Sequence, residues 1–294
     1  MSGGDSVSEG ETPWATVIIP AHNEAGVIGR CLRVLLSDAL PGEIRVLVVS
    51  NGSSDETASE ARRAAGNLGH RVQVLELPEA GKPGALRAGF AAVELWPAIV
   101  LDADCELPTA SARAIATALH IDGPAVASAR LMVSTAASSP LVRAFYRTWT
   151  ALPYVSETMV GSGVFALNEP GWHRLGAFPD VVNDDGWVRR SFTPRERVLV
   201  HEPFVVHAAR TTRALVSRRA RIVNGNRQLA ARLGAEGGLT NRRALGAAVR
   251  NGEVTPRDAA AFLLVTAASR WVAALRRLRG SRSWGTDVTS RVPA

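Results

Sequence analysis

The stretch Ile99-Val100-Leu101-Asp102-Ala103-Asp104 decides the fold. A strand with one wet face alternates apolar and polar residues, whereas a strand that is apolar at every position is buried on both faces. Ile99 to Leu101 is of the second kind, and two aspartates two residues apart follow it directly. Toward the N-terminus the same arrangement recurs three times. Thr16-Val17-Ile18-Ile19 is a buried-strand run ended by Pro20, and Val27 to Leu36 carries apolar residues at helical spacing. Arg45 to Val49 is apolar after its first residue. Ser53 and Glu56 stand at capping-box spacing and open a helix through Ala65 that Gly66 and Gly69 end. Val72 to Leu77 is a third strand, and Pro83 to Val93 a helix with proline in its first turn. Apolar strands separated by helices predict an α/β chain with a mostly parallel sheet and helices on both faces.

In such sheets ligands bind outside the carboxyl ends of the strands. The residues there are Ala21-His22-Asn23-Glu24, Ser50-Asn51-Gly52-Ser53-Ser54-Asp55, Glu79-Ala80-Gly81-Lys82 and Asp102-Ala103-Asp104. All four segments are polar or charged, and the topology predicts that they share one rim. Further along, Ser134 to Ser156 is less periodic and leaves helix or loop open, and the last third is Arg- and Ala-rich and mostly helical in pattern.

Charge is divided along the 294 residues. Of 34 basic residues only Lys82 is lysine. From Arg210 onward 17 arginines face Glu236, Glu253, Asp258 and Asp287, a net 17 − 4 = +13; the remainder carries 17 − 23 = −6. A basic stretch of this kind suits phosphates, an acidic acceptor or an anionic membrane face. Its only aromatics are Phe262, Trp271 and Trp284, too few to stack bases, so nucleic acid is not an expected partner. Cys31 and Cys105 have neither metal-ligand spacing nor the number for a disulfide framework, and a reducing cytoplasm is expected. Met1 to Thr12 lacks the basic-then-apolar order of a signal peptide. No segment reaches the roughly 20 apolar residues of a spanning helix. Ala259 to Leu275 comes nearest, with Arg270 interrupting it. It suits a helix packed on its own domain. The alternative is a helix lying on the inner membrane face, with Arg276, Arg277, Arg279 and Arg282 toward lipid phosphates.

Two carboxylates converging at a strand end repel each other unless a cation is beside them. Oxygen donors favour Mg²⁺ or Mn²⁺, and such an ion can hold a nucleotide diphosphate and neutralise it as it leaves. Asp102 and Asp104 are therefore candidate metal ligands, against the plain alternative of solvated loop aspartates. Asn183-Asp184-Asp185 is a second acidic cluster, able to supply a proton-abstracting base or to cap a helix. Gly161-Ser162-Gly163 precedes the apolar run Val164-Phe165-Ala166 and lets backbone approach a ligand, or is an ordinary tight turn. Lys82 opens a helix, where its charge and the helix N-terminus both favour phosphate.

Taken in order, Val17-Ile18-Ile19-Pro20-Ala21-His22-Asn23-Glu24, Val48-Val49-Ser50-Asn51-Gly52-Ser53-Ser54-Asp55, Gly81-Lys82-Pro83-Gly84-Ala85-Leu86, Asp102-Ala103-Asp104, Gly161 to Ala166 and Asp184-Asp185 resemble the family-2 glycosyltransferases of GT-A fold. The resemblance covers roughly Ala15 to Asn226. It implies an inverting transfer of sugar from a nucleotide-diphosphate sugar to an acceptor hydroxyl. Pro20, Ala21 and Glu24 would lie beside the nucleotide, with Asp102 on ribose or metal and Asp104 on the metal. Asp185 would be the base, with Asp184 where Glu is usual. Ser50 and Asn51 stand where a carboxylate usually reads uracil, which leaves UDP, GDP and TDP open; Asp55 closes that donor-side segment. Arg218-Arg219-Ala220-Arg221-Ile222 resembles the family's Gln-x-x-Arg-Trp region, with Arg221 and Lys82 near the diphosphate. Ile222 in place of Trp, with no spanning helices, argues for transfer of a single sugar. Gly161, Ser162, Gly163 and Trp187 fall on the acceptor side. The implied division is a disordered lead-in 1–13, a GT-A catalytic domain 14–212, a helical C-terminal extension 213–279 and a loose tail 280–294. The rival of another class is a non-catalytic protein of the same fold that binds a nucleotide sugar or an anionic surface. A sugar-phosphate nucleotidyltransferase would need a Gly-rich, Arg-bearing loop where Ala21-His22-Asn23-Glu24 stands.

Overall fold

The computed structural model describes residues 14–40, 42–66, 72–159, 162–234 and 239–279. The expected lead-in, the expected tail, Gly69 and Gly161 lie outside the described residues. Eight strands form one sheet in the order β3-β2-β1-β4-β7-β6-β8-β5. They are β1 (Ala15–Ala21), β2 (Ile44–Asn51), β3 (Val72–Leu77), β4 (Ala98–Leu101), β5 (Cys105–Glu106), β6 (Val126–Ser134), β7 (Val164–Leu167) and β8 (Arg197–His207). The helices are α1 (Ala25–Leu36), α2 (Thr57–Gly66), α3 (Lys82–Ala91), α4 (Thr109–Ala118), α5 (Pro140–Ala151), α6 (Pro153–Ser156), α7 (Glu169–Leu175), α8 (Asp184–Ser191), α9 (Thr212–Leu233), α10 (Leu239–Arg250) and α11 (Pro256–Leu278).

The apolar runs are explained by the pleat. Successive side chains leave a strand on opposite faces. Ile19, Val46, Val48, Ile99 and Leu101 enter one core with Ile28, Leu32 and Leu35 of α1. Ile18, Leu47, Val49 and Val100 enter the other with Ala85, Leu86 and Phe90 of α3. Both faces of the sheet are therefore covered, as the sequence predicts. Close approach of α3 depends on Gly89, where an added Cβ would lie 2.4 Å from Ile18 Cγ2.

Four of the strand pairings are parallel, β1–β2, β1–β4, β2–β3 and β6–β8. The β4–β7, β5–β8 and β6–β7 pairings are antiparallel. Several expectations need correction. Pro20 lies inside β1, paired in register with Val49; β4 accompanies β1 only as far as Ile18, so proline's missing N–H leaves no ladder bond unmade on that side. Ser53 and Glu56 form no capping box. Instead, Asp55 Oδ1 accepts from the N–H of Thr57, the first residue of α2, at 3.1 Å. The less periodic middle contains the helices α5 and α6. The strands β6 and β8, not foreseen, are half-exposed over much of their length and lack a continuous apolar run.

The helix α11 is, by length and composition, apolar enough to cross a membrane, which corrects the expectation from the sequence. Here Ala259, Ala261, Val265, Ser269 and Ala273 are buried, and the helix packs on α5 and α9. Its other side exposes Leu263, Leu264, Trp271 and Leu278.

Candidate active site

The strand ends meet as predicted, and hydrogen bonds between side chain and backbone fix them to one another. Asn51, at the end of β2, is buried. Its Nδ2 donates to the Ala21 carbonyl at 2.8 Å, and its Oδ1 accepts from the Gly81 N–H at 2.9 Å. One side chain thus ties the ends of β1 and β2 to the loop that starts α3. His22 completes the rim, its Nδ1 lying 2.7 Å from the Asn51 carbonyl oxygen.

Lys82 opens α3 and sets its Nζ 2.6 Å from Asp102 Oδ1 and 2.8 Å from Asp184 Oδ2. Burial works against its charge, but Asp102, Asp184 and Asp185 outweigh that and hold its pKa well above the ordinary lysine value. The sequence places Lys82 beside phosphate; the structure places it between two acids on separate elements. Burial, together with Asp184 and Asp104, pushes the Asp102 carboxyl above the usual carboxylate range, while Lys82 pulls it down.

Asp184 and Asp185 form the first turn of α8, and neither caps it. Asn183 does so, its Oδ1 accepting from the Gly186 N–H at 2.9 Å. Both carboxylates are therefore left to the site, at the helix end that favours negative charge. Asp185 Oδ2 accepts from the Gly163 N–H at 2.9 Å, while its Oδ1 is buried with no hydrogen-bond partner among the described residues. Burial and then Asp184 push the Asp185 carboxyl up to about 7, against the pull of Lys82.

Gly163 is the link between the two acidic clusters. Its N–H serves Asp185, and its carbonyl accepts from the Asp102 N–H at 2.8 Å. Its φ is +99°, and an added Cβ would sit 2.7 Å from Cys105 Sγ and 3.1 Å from Asp102 Oδ2. The glycine-rich motif thus brings backbone close to the protein's own acids.

Pro20, Glu24, Asn51, Asp102, Asp104 and Asp185 line a cavity of about 1290 Å³, which Lys82, Ser162, Gly163, Asp184 and Arg221 also border. Four expected residues are placed elsewhere. Ala21 is buried in the core beneath the rim. Ser50 is buried and donates to Ser53 Oγ at 3.0 Å. Asp55 is exposed and accepts from the Thr57 N–H at the start of α2. Trp187 packs against the core cluster of Phe178, Val188 and Phe192, where its indole loses apolar surface to water. Cys31 and Cys105 are free and buried, and burial raises both thiols.

The donor set of Asp102 and Asp104 suits a hard divalent cation, since Mg²⁺ commonly takes one or two carboxylates and completes its shell with phosphate oxygens and water. Asp104 borders the cavity beside Asp102. No group of three or more metal-ligating side chains gathers there among the described residues. The residues fit an ion shared with a substrate rather than a protein-only cage.

A wall of the same cavity was missed. Tyr146, Trp149, Tyr154, Arg219, Thr266 and Arg270 line it from α5, α6, α9 and α11. The signal available was the aromatic series Phe145, Tyr146, Trp149 and Tyr154, spaced as on helices, with the arginine-rich run after Arg210.

The model of glycosyl transferase family 2 matches residues 16–162. The glycosyltransferase AglE of Haloferax volcanii is 34% identical over 94 residues, 32% of this chain and 31% of that protein. An undecaprenyl-phosphate 4-deoxy-4-formamido-L-arabinose transferase of Edwardsiella ictaluri is 33% identical over 98 residues, 32% of this chain and 30% of that protein. The aligned stretch thus spans about a third of the length of these relatives. Among solved structures, a mannosyltransferase from Pyrobaculum calidifontis in complex with GDP-Man and Mn²⁺ superposes with a TM-score of 0.55 at 21% identity, covering 92% of this chain and 81% of that one. Glucosyl-3-phosphoglycerate synthase from Mycobacterium tuberculosis, in complex with Mn²⁺, UDP-Glc and phosphoglyceric acid, gives 0.53 at 18% identity, covering 76% and 81%. These likenesses establish the fold as GT-A.

Proposed function

This chain belongs to glycosyl transferase family 2, and from that premise we propose that it transfers a single sugar from a nucleotide-diphosphate sugar to an acceptor hydroxyl with inversion, Asp185 acting as base. One observation carries the reading: Asp185 is held by the Gly163 N–H through one oxygen and keeps the other unpartnered, on the cavity that Asp102 and Asp104 also line. A buried carboxylate with a pKa near 7 is matched to accepting a proton at neutral pH.

Pro20, Glu24 and Asn51 would bound the nucleotide, and Asp104 with Asp102 would hold Mg²⁺ or Mn²⁺. Such an ion would supply charge neutralisation at the diphosphate. Asp185 Oδ1 takes the acceptor's hydroxyl proton as that oxygen bonds to the anomeric carbon, and the bond from that carbon to the diphosphate oxygen breaks on the opposite face. Lys82 bridges Asp102 and Asp184 while this happens, and the Gly163 N–H holds the Asp185 carboxylate in place. With attack from one face and departure from the other, no protein nucleophile is required.

The test is Asp185→Asn, assayed for nucleotide-sugar binding by calorimetry and for transfer with Mn²⁺. Donor affinity within about twofold of wild type and turnover lower by about 10²–10⁴-fold are expected. Unchanged turnover removes Asp185 from the base role. A protein that binds donor yet neither transfers nor hydrolyses it under any condition is the non-catalytic binder instead.

The location proposed is the cytoplasmic side, in peripheral contact with an anionic lipid surface. The exposed Leu263, Leu264, Trp271 and Leu278 of α11, beside the exposed Arg270, support it. Wild type is expected to float with anionic vesicles and a Leu264→Ser, Trp271→Ser variant to stay behind; equal flotation rejects the contact.

A further inference from the structure

The helical part of the cavity lining holds a cation for which no carboxylate partner is found among the described residues. Arg219, on α9, sets its guanidinium carbon 5.3 Å from the ring centroid of Phe145 and 5.8 Å from that of Trp149. No carboxylate pairs with it among the described residues. Burial lowers its pKa, and the groups acting on it are the phenols of Tyr154 and Tyr146 and the cations Arg218 and Arg270. Ring faces recover only about 0.5–2 kcal/mol for such a cation, so it is left short of an anion.

Two hydrogen-bonding groups stand on the same wall. The Thr266 hydroxyl oxygen is buried with no hydrogen-bond partner among the described residues, and Thr266 borders the cavity. Tyr154 Oη accepts from Trp149 Nε1 at 2.8 Å, which leaves the phenol proton available to an acceptor. Arg219, Thr266 and Tyr154 thus present a guanidinium and two hydroxyls to one cavity, from three different helices. The four aspartates border the same space, so a molecule can reach both.

We propose that Arg219, with Thr266 and Tyr154, anchors a phosphate or carboxylate carried by the acceptor, so that the acceptor's hydroxyl is presented to Asp185. This rests on the transferase reading above. The donor's diphosphate would be met at the strand ends by the ion that Asp102 and Asp104 would hold. A second cationic site in the same cavity accordingly selects among acceptors. A small soluble anion and a lipid headgroup offer the same chemistry, and the experiment separates them.

Binding is measured on the full chain, with and without GDP, UDP or TDP and Mn²⁺, using glycerol 3-phosphate, glycerate and glycerol, and vesicles of phosphatidylcholine with and without phosphatidate. The variants are Arg219→Met, Arg219→Lys and Thr266→Val. The expected result is binding of an anionic probe, or of phosphatidate vesicles if the anion is a headgroup, weakened at least tenfold by Arg219→Met and less by Arg219→Lys. Nucleotide affinity stays within twofold, and glycerol does not bind. The proposal is overturned if no anionic probe binds the wild type, if Arg219→Met leaves binding unchanged, or if the probe displaces the nucleotide. Failure of GDP, UDP and TDP all to bind would sink the transferase reading, while the nucleotide-free arm still decides whether the anion site exists.

Discussion

The two walls of the cavity are built in opposite ways. On one, Asp102 and Asp184 share Lys82, and Asp185 is held by a backbone N–H. Lysine and backbone N–H come from the wall itself, at strand ends and two helix starts, and one lysine among four aspartates leaves room for a divalent cation. On the other, Arg219 is held by aromatic rings and no acid among the described residues pairs with it. A wall whose acids are held by its own lysine and backbone is organised before substrate arrives and serves chemistry common to the family. A wall that does not balance its charge leaves the difference to a ligand, and so can serve to choose one.

The largest test of this contrast is Lys82→Met. It strips the counter-charge from two carboxylates at once. Breaking a fully buried pair costs about 3–5 kcal/mol. With Lys82 and Asp102 side chains 22% and 31% exposed, solvent reduces this to about 3 kcal/mol. Mn²⁺ should raise the Tm of the variant more than that of wild type, because a bound cation restores the balance. Equal metal responses would show that the first wall does not depend on internal compensation. Gly163→Ala is next. Its φ of +99° and the 2.7 Å approach to Cys105 Sγ should cost about 2 kcal/mol and disturb Asp102 and Asp185 together. If that variant melts as wild type and turns over normally, Gly163 is not the link between the two acidic clusters.

What the sequence revealed follows the same division. The strand-end acids, Lys82 and Asp184-Asp185 were legible because each lies within a few residues of a buried apolar run or a helix start. The role of Asn51 as a tie was not, since hydrogen bonds to Ala21 and Gly81 depend on how loops 30 residues apart converge. Trp187 was misplaced for a related reason. Proximity to Asp185 in the chain does not say which side of α8 faces the core cluster of Phe178 and Phe192. The arginine wall was invisible as a site because α5, α9 and α11 bring it together from distant stretches without any motif. Composition showed its charge but not where that charge is buried.

A smaller effect concerns pH. Protonated Asp185 cannot accept a proton, so turnover should fall about tenfold per pH unit below about 7. Stability carries the opposite sign. The folded pKa lies above the ordinary value of 3.8, so between those limits the folded protein binds more protons than the unfolded chain and loses stability as pH rises. Asp185→Asn should therefore melt higher than wild type at pH 8 and converge with it near pH 4. A variant less stable than wild type at pH 8 would mean that the carboxylate is not held at a cost.

The smallest prediction asks whether the two walls belong to one cooperative unit. Thr255 caps α11, its Oγ1 accepting from the Asp258 N–H at 3.1 Å. Asp258 in turn takes two hydrogen bonds from Arg147 of α5, at 2.9 and 2.6 Å. Thr255→Ala should remove about 1 kcal/mol, a shift of about 2–4 °C in Tm if the described body melts together. Because α11 is bolted to α5 as well as to α9, the expected calorimetric trace is a single transition moved as a whole. An early shoulder confined to the variant would mean that the helical extension melts apart from the sheet. The arginine wall would then be a separable unit whose anion ligand stabilises that shoulder and leaves the main transition where it was.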